Sequence, residues 1–218
     1  MTENFINDEH CDTTECVIIG GADIVDYDRI KGYINDKCFI ICCDSGLKHI
    51  EKLSVMPDLV VGDFDSHDKP DFSVETIVLP REKDDTDTFF AVKEAVKRGF
   101  IAFTILGAVG NRLDHTLGNI SILMYLNSLG LTARLIDDYS EMQVISDCIE
   151  ISNSFSFFST VSIDGTARGV CIENAKFPLH NAVIEPIYQY GISNEVLQGK
   201  ASARVSLKEG KLLIIKVF

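Results

Sequence analysis

Short apolar runs alternate with stretches of helical spacing over the first two-thirds of the chain. Cys16-Val17-Ile18-Ile19, Phe39-Ile40-Ile41-Cys42, Leu59-Val60-Val61, Thr76 to Leu79, Ile101 to Leu106 and Ala133 to Ile136 each read as a buried strand, because short unbroken apolar segments bounded by turn residues suit a sheet covered on both faces. Between them, Thr86 to Arg98 places Phe89, Val92 and Val96 at helical spacing and stops at Gly99. Leu113 to Leu129 predicts a longer helix stopped by Gly130, and Asp28 to Ile34 and Leu47 to Leu53 predict short ones. Strand, helix, strand in this order predicts an α/β fold, with a mostly parallel N-terminal sheet and helices on both its faces. After about residue 147 the texture changes to β-type alternation, in Phe155 to Ser159, Val161 to Ile163, Ala201 to Leu207 and Leu212 to Val217. The last two, joined by Lys208-Glu209-Gly210-Lys211, read as an antiparallel hairpin of a C-terminal all-β sandwich domain. The expected division is a loose extension over residues 1–14, an α/β domain over 15–147 and a β-sandwich domain over 148–218.

Ligands of such sheets bind beyond the carboxyl ends of the strands. Every polar or glycine-rich motif of the first domain falls there: Gly20-Gly21, Asp44-Ser45-Gly46, Gly62-Asp63-Phe64-Asp65-Ser66 and Gly107-Ala108-Val109-Gly110. Asp63 and Asp65, at i and i+2 on an extended segment, point to one side and can reach one cation together. A G-D-x-D sequence is equally what a tight turn uses. A second acidic cluster, Lys83-Asp84-Asp85-Thr86-Asp87, opens the predicted helix; one of its aspartates reads as the N-cap, which leaves carboxylates over. Oxygen donors of this kind suit Mg²⁺, which completes its shell with water and substrate phosphates. Asp63, Asp65 and Asp87 are therefore the expected ligands.

The loop Gly107 to His115 adds anion chemistry. Its glycines allow close approach of backbone to phosphate, the following helix offers its positive end, and Arg112 carries a planar fork of donors, with Asp114 placed to orient Arg112 or His115. A capped helix entry with a solvated Arg-Asp pair would look similar. It is not a G-x-x-x-x-G-K-[ST] loop, and Gly20-Gly21-Ala22-Asp23 lacks the third glycine of a dinucleotide fingerprint. His49, His67 and His180 are isolated and read as surface or packing residues.

Composition narrows the partners. A formal net charge of −13 over 218 residues argues against nucleic acid, yet permits a nucleotide carried with a divalent cation. Seven cysteines, without a C-x-x-C pair, support neither a zinc module nor a disulfide framework and suit a reducing cytoplasm. No run approaches the length of a membrane helix, and the acidic N-terminus lacks the features of a signal peptide.

Taken in order, Gly62 to Ser66, Lys83 to Asp87, Gly107 to His115, Lys176-Phe177-Pro178-Leu179 and Gly191-Ile192-Ser193-Asn194-Glu195 resemble thiamine pyrophosphokinases of bacterial type, over nearly the whole chain from Val17 to Val217. The resemblance implies transfer of a pyrophosphoryl group from ATP to the hydroxyl of thiamine, Mg²⁺ as cofactor, and a cytoplasmic homodimer with its site at the interface. It implies catalytic and metal roles for Asp63, Asp65 and Asp87. It places Gly20, Gly21, Asp44, Ser45, Gly110, Arg112, Asp114 and His115 around the nucleotide, and Lys83, Phe177, Ser193 and Asn194 near thiamine. Two departures stand out. Cys42-Cys43-Asp44-Ser45-Gly46 replaces a more usual Ala-Asp-Gly-Gly, and the chain has no Trp, so Phe177 takes the place of a ring beside thiamine. The alternatives are another Mg²⁺-dependent nucleotide or phosphate-ester enzyme, a non-catalytic nucleotide or thiamine sensor, and a structural interaction domain.

Overall fold

The computed structural model describes residues 14–64, 72–80, 82, 84–188 and 190–218. Six strands run parallel: β1 (Glu15–Ile19), β2 (Phe39–Cys43), β3 (Leu59–Gly62), β4 (Glu75–Val78), β5 (Ala102–Leu106) and β6 (Thr132–Ile136). Their order in space is β4-β3-β2-β1-β5-β6. The chain steps outward from β1 to β4, then returns to lay β5 against the other side of β1. That reversal leaves a crevice beyond the ends of β1 and β5, the place where open α/β sheets hold their ligands.

Period-two alternation gives β1, β2 and β3 two apolar faces, whereas the edge strand β4 is partly exposed. Cys16, Ile18, Ile41, Cys43, Leu59 and Val61 face α3 (Asp87–Lys97) and α4 (Leu113–Ser128), which bury Ala91, Val92, Ala95, Ile122, Leu123 and Leu126 against them. Val17, Ile19, Ile40, Cys42 and Val60 face the opposite way, onto Ile30 of α1 (Tyr27–Lys31) and Leu53 of α2 (Ile50–Leu53). Both faces are thus covered, as the unbroken apolar strands require.

The sheet continues past the parallel part. β7 (Ser140–Ile145) runs antiparallel to β6, β13 (Leu212–Val217) to β7, and β9 (Phe157–Val161) to β13, for nine strands among the described residues. A four-stranded antiparallel sheet, β11 (Leu179–Ile184), β10 (Ala167–Glu173), β12 (Ser202–Ser206) and β8 (Cys148–Ser152), packs on this end. Between the sheets lies a second core of Phe158, Val170, Ile172, Val205, Leu212 and Ile214.

The expected hairpin of Ala201 to Leu207 with Leu212 to Val217 does not form. β12 pairs with β8 and β10 in the small sheet, whereas β13 pairs with β7 and β9 in the large one. Alternation explains why: Leu212 and Ile214 point into the core between the sheets and Leu213 into the core under α4, so β13 has two apolar faces to bury. A strand of a small two-layer hairpin has only one.

Local details also moved. The helical stretch expected over Leu47 to Leu53 is a 3-10 turn, Asp44–His49, running into α2. The N-cap of α3 is Thr86, whose hydroxyl accepts the Phe89 N–H at 3.2 Å, and not an aspartate. Asp87 is thereby released from capping and becomes the first residue of the helix.

Candidate active site

The loops after β1 and β5 interlock. The Gly20 N–H donates to the Leu106 carbonyl at 2.8 Å and the Ala22 N–H to the Gly107 carbonyl at 2.7 Å. A Cβ on Gly20 would stand 2.6 Å from the Gly107 oxygen, and one on Gly107 equally close to the Gly20 oxygen. Gly107 also has φ +58°, in the left-handed region. Two backbones can approach this closely only without side chains.

The loops after β2 and β3 interlock through a carboxylate. Asp44, 6% exposed, accepts the Ser45 N–H on one oxygen and the Phe64 N–H at 3.2 Å on the other. Gly62 lies directly against it, since an added Cβ would be 2.5 Å from the Asp44 Cβ. Phe64 is held at φ +53°, a conformation that costs a bulky residue energy and that the surrounding contacts must enforce. Asp44 thus shapes the turn that carries Asp63.

A cavity of about 300 Å³ opens over these loop ends. Gly21, Ala22, Asp23 and Ser45 line one side and Thr86, Asp87 and Thr88 another. Gly107, Ala108, Gly110 and one face of α4 complete it: Arg112, His115, Thr116 and Asn119 stand at i, i+3, i+4 and i+7. The N-terminus of α4, with its partial positive charge, opens into this space. Arg112 and Asp114 form an exposed pair, with contacts of 2.9 and 2.6 Å. The guanidinium hydrogen bonds hold the Asp114 carboxyl well below the usual carboxylate range. Across the cavity the Lys48 ammonium donates to Asp23 at 2.9 Å and lowers that carboxyl in the same way. The arrangement offers cations and a helix end to an anionic chain, and carboxylate oxygens to a cation.

Of the residues singled out from sequence, Gly21, Ser45, Asp87, Gly110, Arg112 and His115 line the cavity. Gly20 and Asp44 sit just behind its walls, and Asp114 is exposed and paired with the lining Arg112, in the contacts described above. Asp63 follows β3 at the same edge of the sheet. Asp65 and Lys83 lie outside the described residues. Phe177, Ser193 and Asn194 belong to the other end of the chain, and none lines the cavity. Phe177 is 57% exposed. Asn194 is buried, and its side chain clamps the Phe177 backbone: Oδ1 accepts the Phe177 N–H at 3.0 Å and Nδ2 donates to the Phe177 carbonyl at 2.7 Å. Ser193 has φ +56° and its N–H donates to Ser159 Oγ at 3.0 Å.

Thr88 escaped the sequence reading, as did two lining residues of α4. Asn119 is buried and its Nδ2 donates to the Ala108 carbonyl at 2.7 Å; Thr116 Oγ1 accepts the Gly110 N–H at 3.2 Å. The helical period from Arg112 and His115 would have found both.

His49 is buried beneath the cavity wall. Its Nε2 donates to the Ala22 carbonyl at 2.9 Å and its Nδ1 accepts from the Tyr27 hydroxyl at 2.7 Å, which sets the neutral tautomer. Burial pushes its pKa down from the ordinary histidine value. Above about pH 6.5 folded and unfolded chains carry this ring alike; below it, the unfolded chain binds a proton that the folded one resists. Stability is thus fully present above the unfolded pKa and is lost as pH falls toward the folded one. Between about pH 7 and 5.5 the melting temperature of the wild type should fall more than that of His49→Gln; parallel pH profiles would refute this.

Comparison with known proteins agrees with this geometry. A family model described as the thiamin pyrophosphokinase catalytic domain matches residues 30–135, which run from the end of α1 into β6 and include most of the cavity lining. A thiamine pyrophosphokinase of Bacillus subtilis is 26% identical over 196 residues, covering 86% of this chain and 91% of that protein. A crystal structure of the thiamine pyrophosphokinase from the same species superposes with a TM-score of 0.82 at 25% identity, covering 93% of this chain and 98% of the other. The thiamin pyrophosphokinase of Candida albicans, at 16% identity, a TM-score of 0.73 and coverage of 95% and 90%, shares the fold.

Proposed function

We infer that this chain, which belongs to the thiamine pyrophosphokinase family, transfers the pyrophosphoryl group of ATP to the hydroxyl of thiamine and releases AMP. The observation that carries this reading is the family match over residues 30–135, because that span contains the β2, β3, α3, β5 and α4 walls of the cavity at the sheet's reversal point.

The roles of individual residues are our proposal. The α4 N-terminus, Arg112 and His115 grip the nucleotide phosphates, and the Gly20-Gly21 and Gly107–Gly110 loops let the chain lie close to the backbone. Asp114 orients the Arg112 fork. Asp63, Asp65 and Asp87 would hold Mg²⁺. Their donors are all carboxylate oxygens, and one or two such groups with phosphate and water suffice for that ion. When bound, it screens the charge on the transferred group. Among the described residues no three metal-ligating side chains gather, and Asp65 lies outside them. Catalysis then rests on in-line positioning of the hydroxyl and on charge neutralisation. The hydroxyl proton passes to a carboxylate, Asp87 or Asp65.

Thiamine is cationic, so the acidic edge also favours the acceptor. We assign Lys83, Phe177, Ser193 and Asn194 to its side of the site, with Asn194 acting by holding the Phe177 backbone. That Phe177, Ser193 and Asn194 line no part of the single-chain cavity supports a site completed in a homodimer. Exposed Phe177, Ile187, Tyr188, Ile192 and Leu197 support an apolar contact surface in that half. No helix among the described residues is long and apolar enough to cross a membrane, and the cysteine usage supports a cytoplasmic setting.

Incubation with ATP, Mg²⁺ and thiamine should yield thiamine diphosphate, and EDTA should abolish it. Tight ATP binding by calorimetry without any product would make the chain a sensor instead.

A further inference from the structure

We propose that His49, with Tyr27 behind it, is a positioning residue that fixes the nucleotide wall of the cavity; this rests on the ATP-dependent reading above. His49 is 1% exposed and does not line the cavity. Both its nitrogens are committed, Nε2 to the Ala22 carbonyl and Nδ1 to the Tyr27 hydroxyl. Ala22 is the residue on which the two glycine loops converge. Its N–H donates to the Gly107 carbonyl, its carbonyl accepts from His49, and its Cβ would lie 3.1 Å from a Cβ on Gly110. The peptide of Ala22 is thus pinned at both ends, and the seat of the Gly110 loop is pinned with it.

Packing alone would not call for a histidine here. An apolar side chain would fill the space but leave the part-buried Ala22 carbonyl without the donor that His49 supplies, at a cost comparable to a lost hydrogen bond. Tyr27, the first residue of α1, fixes the ring from the far side, and its own ring packs at 5.8 Å between centroids, tilted by 50°. The bonds that the ring makes run to the β1 loop and to α1, and none runs to Asp63 or Asp87. Its loss should therefore loosen the grip on ATP more than it slows transfer.

The test is steady-state kinetics on the full-length enzyme, with folded fraction checked by circular dichroism and melting. His49→Ala should raise the KM for ATP by about tenfold, as expected for one part-buried acceptor left unpaired, and leave kcat and the KM for thiamine within about twofold. His49→Gln, whose amide can donate to Ala22 and accept from Tyr27, should recover most of the loss. Tyr27→Phe, which opens no cavity, should show a smaller rise in the same parameter. An unchanged KM for ATP in His49→Ala, equal shifts in all three parameters, or failure of His49→Gln to recover would each overturn the proposal. Should the wild type make no thiamine diphosphate, the functional reading fails separately; calorimetric titration of wild type and His49→Ala with ATP then still decides His49, by the same tenfold criterion.

Discussion

Asp87→Asn is expected to fold normally and to lower turnover with ATP and thiamine by about a thousandfold. Thr86, not Asp87, caps α3, so the helix start does not depend on the carboxylate. Asp87 lines the cavity at the first turn of α3, opposite Arg112 and His115. The amide keeps size and polarity and removes the charge. A ligand to a divalent cation contributes several kcal/mol to charge stabilisation in the transition state, and each 1.4 kcal/mol is about tenfold in rate. Matched melting curves with intact turnover would remove Asp87 from the site. Lost turnover with a collapsed melting curve would instead make it structural.

The second large effect is on stability. Glu141 and Lys216 face each other across β7 and β13, both 6% exposed, and the Lys216 ammonium donates to the Glu141 carboxylate. Phe155 covers the ammonium, 5.3 Å from its ring centroid. Glu141→Ala leaves a buried ammonium without its partner. Breaking one side of such a pair costs about 3–5 kcal/mol, or on the order of 10 °C in melting temperature for a chain of this size. Replacing both partners together, with Glu141→Met and Lys216→Leu, should recover most of that loss, because two apolar side chains need no charge partner. A melting temperature within 2 °C of wild type for Glu141→Ala, where ~10 °C is expected, would show the pair to be dispensable.

The parallel strands and the two long helices were legible because their apolar residues report burial directly: strands covered on both faces carry no polar alternation to confuse the reading. The convergence of Gly20, Asp44, Asp63 and Gly107 on one edge followed from the same pattern. The partners of β12 and β13 were not legible. Two adjacent alternating strands with a glycine turn between them predict a hairpin locally, and only the tertiary core decided that they enter different sheets. The aspartate expected to cap α3 lost to Thr86, since either side chain can accept the Phe89 N–H and spacing cannot choose between them. The single-chain placement of Phe177, Ser193 and Asn194 away from the cavity lay beyond sequence because it depends on how the small sheet packs. His49 looked like an isolated packing residue, and its two hydrogen bonds follow from the neighbours that the fold brings to it.

The central claim, that a pyrophosphoryl group moves in one piece to thiamine, is tested most directly by the products of one reaction. With ATP, Mg²⁺ and thiamine, AMP and thiamine diphosphate should appear in equal amounts from the first turnovers, with no ADP and no thiamine monophosphate. ADP formed together with thiamine monophosphate would contradict it, as would AMP released without thiamine diphosphate.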